Sequence, residues 1–228
     1  MIILDNVTKT FGTGNSALSD VSFTINKGEF VFLVGPSGSG KTTLFRLLIR
    51  EMKPTIGSIM IGDWDLVRLS RKKIPHLRKR IGVVFQDLKL LRDRTIFENV
   101  LFPLEVVNTD NKHSKNRVKE ILEQVGIAEH GNKFPVQLSG GELQRAAIAR
   151  ALAFTPEIIL ADEPTGNLDA TTSWEIIKLL QDINKTGTTI IMATHNTDIV
   201  NSLLKRVLAL EKGKLVKDEV REKKEKKG

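Results

Sequence analysis

Three absences limit the classes of protein to which this chain of 228 residues can belong. It has no cysteine, which excludes disulfides, thiolate metal sites and cysteine nucleophiles, so that any metal must be held by oxygen. It also has no run of about 18 consecutive apolar residues, which a membrane-spanning helix would need. The first residues lack the basic start and the apolar stretch of a signal peptide. Since apolar residues still make up 40% of the sequence, we expect a globular protein that remains in the cytosol.

Acidic residues are also absent from one basic segment. Residues 68–80 contain seven Lys or Arg and no Asp or Glu, in a chain whose net charge is +8. Residues 212–227 contain eight bases and four acids. Patches of this kind bind nucleic acid, anionic lipid or an acidic partner, or are no more than solvated faces. We leave these alternatives open for 68–80, and we expect residues 221–228 to be a disordered charged tail beyond a domain at 1–220.

Short apolar segments alternate with helical patterns, which predicts an α/β fold with a mainly parallel sheet. Buried parallel strands are predicted where the sequence is almost continuously apolar, at 30–34, 81–85, 158–161, 189–193 and 207–210. Alternating segments predict an antiparallel edge sheet at 2–7, 21–25 and 58–61. Helices are predicted at 43–51, 96–106, 115–125 and 141–154. The last three belong to a predicted helical insert at about 87–155.

Residues 35–42 read GPSGSGKT, which is a complete GxxxxGK[ST] phosphate loop. The loop lies between the predicted strand 30–34 and the predicted helix 43–51, as this motif requires. Its glycines let backbone NH groups face phosphate oxygens, and the helix adds its positive end. Lys41 would then reach the β and γ phosphates, while the Thr42 hydroxyl would bind Mg²⁺. A glycine-rich turn without a ligand is the alternative, and the strand and helix around the motif argue against it.

Polar side chains follow three of the predicted buried strands. Asp162 and Glu163 end the apolar run 158–161, where Asp162 would hold Mg²⁺ and Glu163 would polarise the attacking water. An ordinary helix cap is the alternative for these two acids. Gln86 follows the strand 81–85 and His195 follows the strand 189–193. Both would reach the nucleotide from the carboxyl edge of the sheet, where α/β proteins bind ligands.

A second phosphate-binding corner, Leu138-Ser139-Gly140-Gly141-Glu142, lies about a hundred residues after the first. One nucleotide needs only one such corner. If a single copy cannot close both half-sites around one ATP, the natural arrangement is two copies that share two ATPs.

Together these motifs resemble the ATP-binding cassette (ABC) ATPases over nearly the whole chain, in the order typical of that family. The resemblance implies a P-loop NTPase (RecA-like) α/β core with an antiparallel β subdomain and a helical subdomain. It implies nucleotide binding by Phe11, Gly35, Pro36, Ser37, Gly38, Ser39, Gly40, Lys41, Thr42, Thr43, Ser139, Gly140, Gly141, Glu142 and Asp169. It implies catalytic roles for Glu163, His195 and Gln86, and Mg²⁺ coordination by Thr42, Gln86 and Asp162. Phe11 stands where the family more often has Tyr, but stacking on adenine needs only the ring face.

Residues 138–142 of this chain correspond to the signature motif of the family and are here called the signature turn. Residues 167–169 correspond to the family's D-loop. The resemblance implies an ATP-dependent homodimer in which the signature turn of one subunit caps the γ phosphate held by the other. Hydrolysis of ATP to ADP and phosphate would remove that contact and open the dimer.

Finer motifs resemble the FtsE group of this family, the bacterial cell-division ATP-binding proteins. These motifs are residues 85–91, 165–169, 173–176 and 192–196. The resemblance implies an integral-membrane partner resembling FtsX, which docks beside 85–91, and activation of cell-wall hydrolases through it. It implies a peripheral location on the cytoplasmic face of the cell membrane, with cytoskeletal division proteins as further candidate partners.

Relatives in lipoprotein-release and macrolide-export systems share residues 166–169, so these exporters remain the alternative. Trp174 is the residue that favours the FtsE group, unless it is simply a helix residue packed on the sheet. A soluble ABC protein that acts on nucleic acid would usually carry two cassettes or a long coiled coil, so nucleic acid is not expected as a partner. A P-loop kinase would lack residues 138–142.

Overall fold

The computed structural model describes residues 1–12, 14–107 and 111–220, so the predicted tail at 221–228 lies outside the described residues. The described chain divides into two compact units. The first contains residues 1–78 and the described residues from 189 onward, and the second contains residues 79–188.

The strands are β1 (Ile2–Thr10), β2 (Ser16–Ile25), β3 (Phe30–Val34), β4 (Ile56–Ile61), β5 (Trp64–Asp65), β6 (Ile81–Val84), β7 (Ile158–Asp162), β8 (Thr189–Ala193), β9 (Arg206–Glu211) and β10 (Lys214–Glu219). The helices are α1 (Lys41–Leu48), α2 (Ile74–Lys79), α3 (Ile96–Val106), α4 (Asn111–Gln124), α5 (Gly140–Ala151), α6 (Ala170–Lys185) and α7 (Thr197–Leu203). Short 3-10 turns lie at Arg71–Lys73, Ala128–His130 and Pro135–Gln137.

The first unit contains an antiparallel sheet with the strand order β2-β1-β4-β5, which confirms the predicted antiparallel edge sheet. Its central strand is fixed on both sides, because Ile2 lies opposite Ile25 of β2 and Ile61 of β4. All three side chains are buried. The burial of alternate residues explains the alternating pattern that predicted these strands.

The first unit also contains β3 between β8 and β9, with both neighbours parallel to it. In this register Leu33 of β3 lies opposite Ala193 of β8. Residues 35 and 195 therefore follow the same carboxyl edge of these strands. The predictions of parallel strands at 30–34, 189–193 and 207–210 are confirmed, whereas β10, which pairs antiparallel with β9, was not predicted because its sequence is mostly polar.

The second unit pairs β6 with β7 in parallel, so that Val84 lies opposite Ala161. The strands predicted at 81–85 and 158–161 are confirmed to within one residue. Helices α3, α4 and α5 are also confirmed, although α5 ends at Ala151 rather than at the predicted 154. The boundaries of the helical insert, about 87–155, stay a prediction.

Two other predicted helices have boundaries that are wrong by two to four residues. Helix α4 was expected at 115–125 but begins at Asn111, and α1 differs at both ends. Helix α1 was expected at 43–51, but it begins at Lys41 and ends at Leu48. It starts earlier because Gly40 turns the chain into the helix, and it ends earlier because Arg50 has a left-handed backbone with φ of 56°. Across the described part of the chain, we find no helix with the length and apolar character needed to cross a bilayer.

Candidate nucleotide site and signature turn

The phosphate loop lies in the first unit, between β3 and α1. Gly40 is the N-cap of α1 and has a φ of 109°, a left-handed conformation that side chains rarely adopt. A Cβ atom at this position would lie 2.6 Å from the carbonyl oxygen of Ala17. The sequence therefore needs glycine here, both to turn the chain and to let the loop lie against β2.

The donors around this loop fit a phosphate ligand. Because the N-cap is glycine, no side chain caps the start of α1, and the positive end of the helix is offered to an anion. The Lys41 ammonium donates to the carbonyl oxygens of Gly35, at 2.7 Å, and Pro36, at 3.1 Å. A lysine held across the loop in this way already lies beside the predicted phosphate position.

His195 lies in the same unit, at the edge that β3 and β8 share. A cavity of about 310 Å³ is lined there by Gly35, Pro36 and residues 194–197, among others. Two hydrogen bonds shape the turn that carries the exposed His195. The buried Thr194 hydroxyl accepts from the Asn196 amide at 3.1 Å, and the Asn196 side chain caps α7 by accepting from the amides of residues 198 and 199.

Phe11 immediately follows β1 in the first unit. Phe11 is 42% exposed, and the Lys9 ammonium lies over its ring, 5.6 Å from the ring centroid. An exposed ring face of this kind is what stacking on a base requires. The first unit thus contains Phe11, residues 35–43 and His195.

The second unit places Gln86, Asp162 and Glu163 at one edge, because β6 and β7 end side by side and Asp162 is the last residue of β7. Glu163 has a φ of 49°, which is a strained conformation for a residue other than glycine and is often found at functional sites. The helix-cap alternative for the two acids is wrong, since α6 is capped by Asp169. No described residues form a cluster of three or more His, Asp or Glu that could hold a metal, and Mg²⁺ at a phosphate site needs few protein ligands.

The signature turn begins α5 with a reciprocal cap. The Ser139 hydroxyl accepts from the Glu142 amide at 3.4 Å, and Glu142 Oε2 accepts from the Ser139 amide at 2.7 Å and from its hydroxyl at 2.8 Å. These bonds from Ser139, together with the charges of His130 and Lys133, lower the pKa of Glu142. The Ser139 hydroxyl, which the family resemblance predicts to bind phosphate, therefore donates a hydrogen bond to Glu142 in this structure.

The D-loop contacts the signature turn. A Cβ atom on Gly141 would lie 2.5 Å from the Thr172 methyl group, and one on Gly140 would lie 3.2 Å from a Leu168 methyl group. Asp169 accepts from the Thr172 amide at 3.0 Å and from the Thr172 hydroxyl at 2.5 Å, and these bonds lower its pKa. Asp169 thus has a local structural role as the cap of α6, and its predicted role in nucleotide binding stays a prediction.

The second unit also contains an apolar groove of about 310 Å³. It is lined by Asp87, Leu88, Leu90, Arg92, Pro135, Val136 and Leu143. Its wall at 88–91 has left-handed backbone at Leu88 and Lys89. Arg150 fixes this wall by donating to the carbonyl oxygens of Leu88, at 2.6 Å, and Lys89, at 2.5 Å.

The buried Asn99 holds the same wall from α3. Its side chain accepts from the Leu91 amide at 2.7 Å and donates to the Leu91 carbonyl oxygen at 3.0 Å. Sequence reasoning missed Arg150, Asn99 and His130, because each has a contact with a residue at least eight positions away and no local pattern marks such a contact.

The comparisons with known proteins agree with this geometry. The family model described as ABC transporter matches residues 18–166, which include the phosphate loop, the signature turn and β7. The chain belongs to the ABC transporter family. As a member of the ABC transporter family it is an ATP-binding ATPase, and the predicted fold class is confirmed.

Curated relatives in the ABC transporter family carry the name "Cell division ATP-binding protein FtsE". The Bacillus subtilis protein is 51% identical, over 97% of this chain and 97% of its own length. The Mycobacterium tuberculosis protein is 49% identical over 97% and 96%, and the Escherichia coli K12 protein is 41% identical over 94% and 97%. The resemblance to the FtsE group is confirmed. Trp174 is 41% exposed on α6, so it is not a fully buried core residue.

Solved structures in the ABC transporter family share the fold. A dimeric, post-hydrolysis state of the ATP-binding cassette MJ0796, bound to ADP and Pi, matches with a TM-score of 0.87 and 37% identity, over 96% of this chain and 98% of that chain. CbiO1 from Clostridium perfringens, described as part of the ABC transporter complex cbiONQ, matches with a TM-score of 0.89 and 32% identity, over 96% and 88%.

Proposed function

We propose that the chain is the ATP-hydrolysing subunit of an FtsEX-type membrane complex in cell division. ATP-driven dimerisation of this subunit activates cell-wall hydrolases through an integral-membrane partner resembling FtsX. The observation that carries the proposal is the identity of 41% to 51%, over nearly the whole chain, with proteins named for cell division. The two half-sites of an ABC ATPase, the phosphate loop and the signature turn, are both intact in the sequence.

Each site residue has a proposed role toward ATP. Lys41 leaves the Gly35 and Pro36 carbonyl oxygens for the β and γ phosphates, and residues 35–43 cradle them. Glu163 polarises the attacking water, Gln86 orients that water, and His195 contacts the γ phosphate. Phe11 stacks on adenine.

Mg²⁺ is the proposed cofactor. Thr42, Gln86 and Asp162 hold it directly or through water, as suits a cation that keeps part of its hydration shell. When bound, Mg²⁺ neutralises charge on the phosphate oxygens. The oxygen donors of these three side chains fit that role, since Mg²⁺ prefers oxygen ligands.

The signature turn acts on the ATP of the other subunit. Ser139 releases Glu142 and turns its hydroxyl to the γ phosphate, while Gly140 and Gly141 offer backbone NH groups at the start of α5. The dimeric states in which a matched cassette was solved support this arrangement. Loss of the γ phosphate removes the contact, so each hydrolysis event loosens the dimer.

The apolar groove is the proposed docking site for a short helix of the membrane partner. Its lining is mostly apolar, and Val136 at its edge is 88% exposed, so the groove and its edge offer apolar surface to a partner helix. A helix seated in the groove would contact Leu143, which directly follows Glu142 of the signature turn. Docking there would give the protein a peripheral location on the cytoplasmic face of the membrane. Cytoskeletal division proteins are further candidate partners.

Replacing Val136 by Asp tests this docking site. A carboxylate on the groove wall must lose water when a helix docks, so we expect co-purification of the integral-membrane subunit with the native complex to fall at least about tenfold. Val216→Asp is the matched control, because Val216 is also apolar and 54% exposed but lies on β10.

The identity of the co-purified subunit tests the function itself. An FtsX-like subunit supports the proposal. A subunit with the topology of an exporter permease would replace it with the alternative, an ATPase subunit of a lipoprotein-release or macrolide-type exporter. Equal retention of the subunit by Val136→Asp and by the control would contradict the docking site alone.

A further inference from the structure

His130 contacts the signature turn, although no motif includes it. Its Nε2 atom lies 2.8 Å from Oε1 of Glu142 and 3.5 Å from Oε1 of Glu129. The side chain is only 14% exposed, and its Nδ1 atom is buried without a hydrogen-bond partner in the described part of the chain. A buried ring nitrogen without a partner is destabilising, so packing alone does not explain a histidine here.

The two carboxylate oxygens of Glu142 have different partners, Ser139 and His130. Oε2 accepts from the amide and the hydroxyl of Ser139, and Oε1 faces the His130 ring. To bind a carboxylate oxygen at this distance the ring must carry its proton on Nε2, which leaves Nδ1 as an acceptor in the neutral form. The backbone that carries the ring is fixed in its turn, because the His130 amide donates to the Ile127 carbonyl oxygen and its own carbonyl oxygen accepts from the Lys133 amide, both at 3.0 Å.

A second cap in the same unit shows that a helix start does not need this histidine. At the start of α3, Oε2 of Glu98 accepts from the Thr95 amide at 2.7 Å and from its hydroxyl at 2.9 Å. This is the arrangement of Ser139 and Glu142, but no histidine among the described residues binds Glu98. Of these two caps, only the one that belongs to the signature turn has the additional donor among the described residues.

The additional bond from His130 becomes important when the Ser139 hydroxyl no longer bonds to Glu142. In the proposed dimer the Ser139 hydroxyl turns toward phosphate, and Oε2 of Glu142 loses one of its donors. A carboxylate that is then free to rotate would bring negative charge toward the incoming γ phosphate, which is unfavourable for two like charges. The bond from His130 to Oε1 prevents that rotation.

We infer that His130 is a positioning residue for the signature turn, holding Glu142 through Oε1 while Ser139 binds the γ phosphate of the ATP on the other subunit. The inference rests on the proposed ATP-bridged dimer. His130 acts through Glu142 and does not itself contact nucleotide. Its loss therefore weakens the dimer without weakening the binding of ATP to a single subunit.

A matched pair of substitutions tests the inference in the full chain carrying Glu163→Gln, which we expect to hold ATP without hydrolysis. His130→Gln keeps a donor near the position of Nε2, whereas the amide of His130→Asn is too short to reach Glu142. We expect His130→Asn to raise the dissociation constant of the ATP-bound dimer about tenfold, as measured by analytical ultracentrifugation, since one hydrogen bond to a charged group is lost. His130→Gln should dimerise nearly as the parent does. The affinity of the monomer for a fluorescent ATP analogue should be unchanged in both.

A double-mutant cycle distinguishes an effect of His130→Asn that passes through Glu142 from a general loss of stability. In a chain that also carries Glu142→Ala, which removes the acceptor of the His130 bond, His130→Asn should change the dimer affinity by less than about twofold, because its effect passes through the Glu142 carboxylate. A full tenfold loss in that chain would overturn the inference, as would parent-like dimerisation of His130→Asn. If the parent itself fails to dimerise with ATP, the proposed function fails rather than the role of His130.

Discussion

Replacing Glu163 by Gln is expected to lower kcat for ATP hydrolysis at least about a hundredfold, while ATP binding persists and the ATP-bound dimer accumulates. The amide keeps the shape of the side chain but cannot accept a proton from the attacking water. The backbone of Glu163 is held at a φ of 49°, so the replacement should keep the position of the side chain. Steady-state phosphate release and sedimentation with ATP measure the two effects.

Glu157→Gln is the matched control for this prediction. Glu157 lies just before β7, at the opposite end from Glu163, and makes a two-pronged ion pair with Arg80, with both bonds at 2.8 Å. Exposed ion pairs of this type contribute little to stability, so turnover should remain near that of the parent. A Glu163→Gln chain that hydrolyses ATP normally would remove the role given to Glu163.

Replacing Lys41 by Ala is expected to weaken ATP binding at least about a hundredfold and to abolish ATP-dependent dimerisation, because a charge-assisted contact with two phosphates is lost. The Lys41 side chain already lies against the Gly35 and Pro36 carbonyl oxygens, so the loop should keep its fold with only a small loss of stability. Titration with a fluorescent ATP analogue measures the affinity.

Lys27→Ala is the control here, since Lys27 is an exposed lysine of the same unit that follows β2 and belongs to no motif. It removes the same charge from the protein without touching the phosphate loop. Similar ATP affinities for the two variants would mean that Lys41 contributes only net charge, and would contradict the phosphate-binding role.

Strands that are buried on one or both faces could be predicted from the sequence. Apolar runs produce β3, β6, β7 and β8 nearly to the residue, because a parallel strand needs apolar side chains on both faces. The same criterion missed β10, where polar residues on an edge strand leave no pattern. Helix α6 was not predicted either, although its buried residues Ile176, Ile177, Leu180 and Ile183 follow a helical spacing.

The functional motifs could be predicted because each is a short run of fixed spacing. What the sequence could not provide is the state of the side chains within them. The Ser139 hydroxyl was expected to face phosphate, yet it is bonded to Glu142. His130 lies twelve positions before Glu142 and on another turn, so only the folded chain brings the imidazole to the carboxylate.

The contacts of the basic segment 68–80 could not be predicted from the sequence either. Its charges could be counted, but their partners could not be predicted. Arg80 binds Glu157, and the Arg78 guanidinium donates to the Ile49 carbonyl oxygen at 3.1 Å, so part of the segment is structural. Arg71, Lys72 and Lys73 are exposed, and none of them forms an ion pair with a described residue. A lipid or acidic partner for these three stays a prediction.

The central claim is that each ATP lies between the phosphate loop of one subunit and the signature turn of the other. Mixing two inactive variants, Lys41→Ala and Ser139→Arg, tests it most directly. In a mixed dimer both defects fall in one shared site, and the second site combines an intact phosphate loop with an intact signature turn. We predict that the mixture hydrolyses ATP although neither variant does so alone. A mixture no more active than its two components would contradict the shared site.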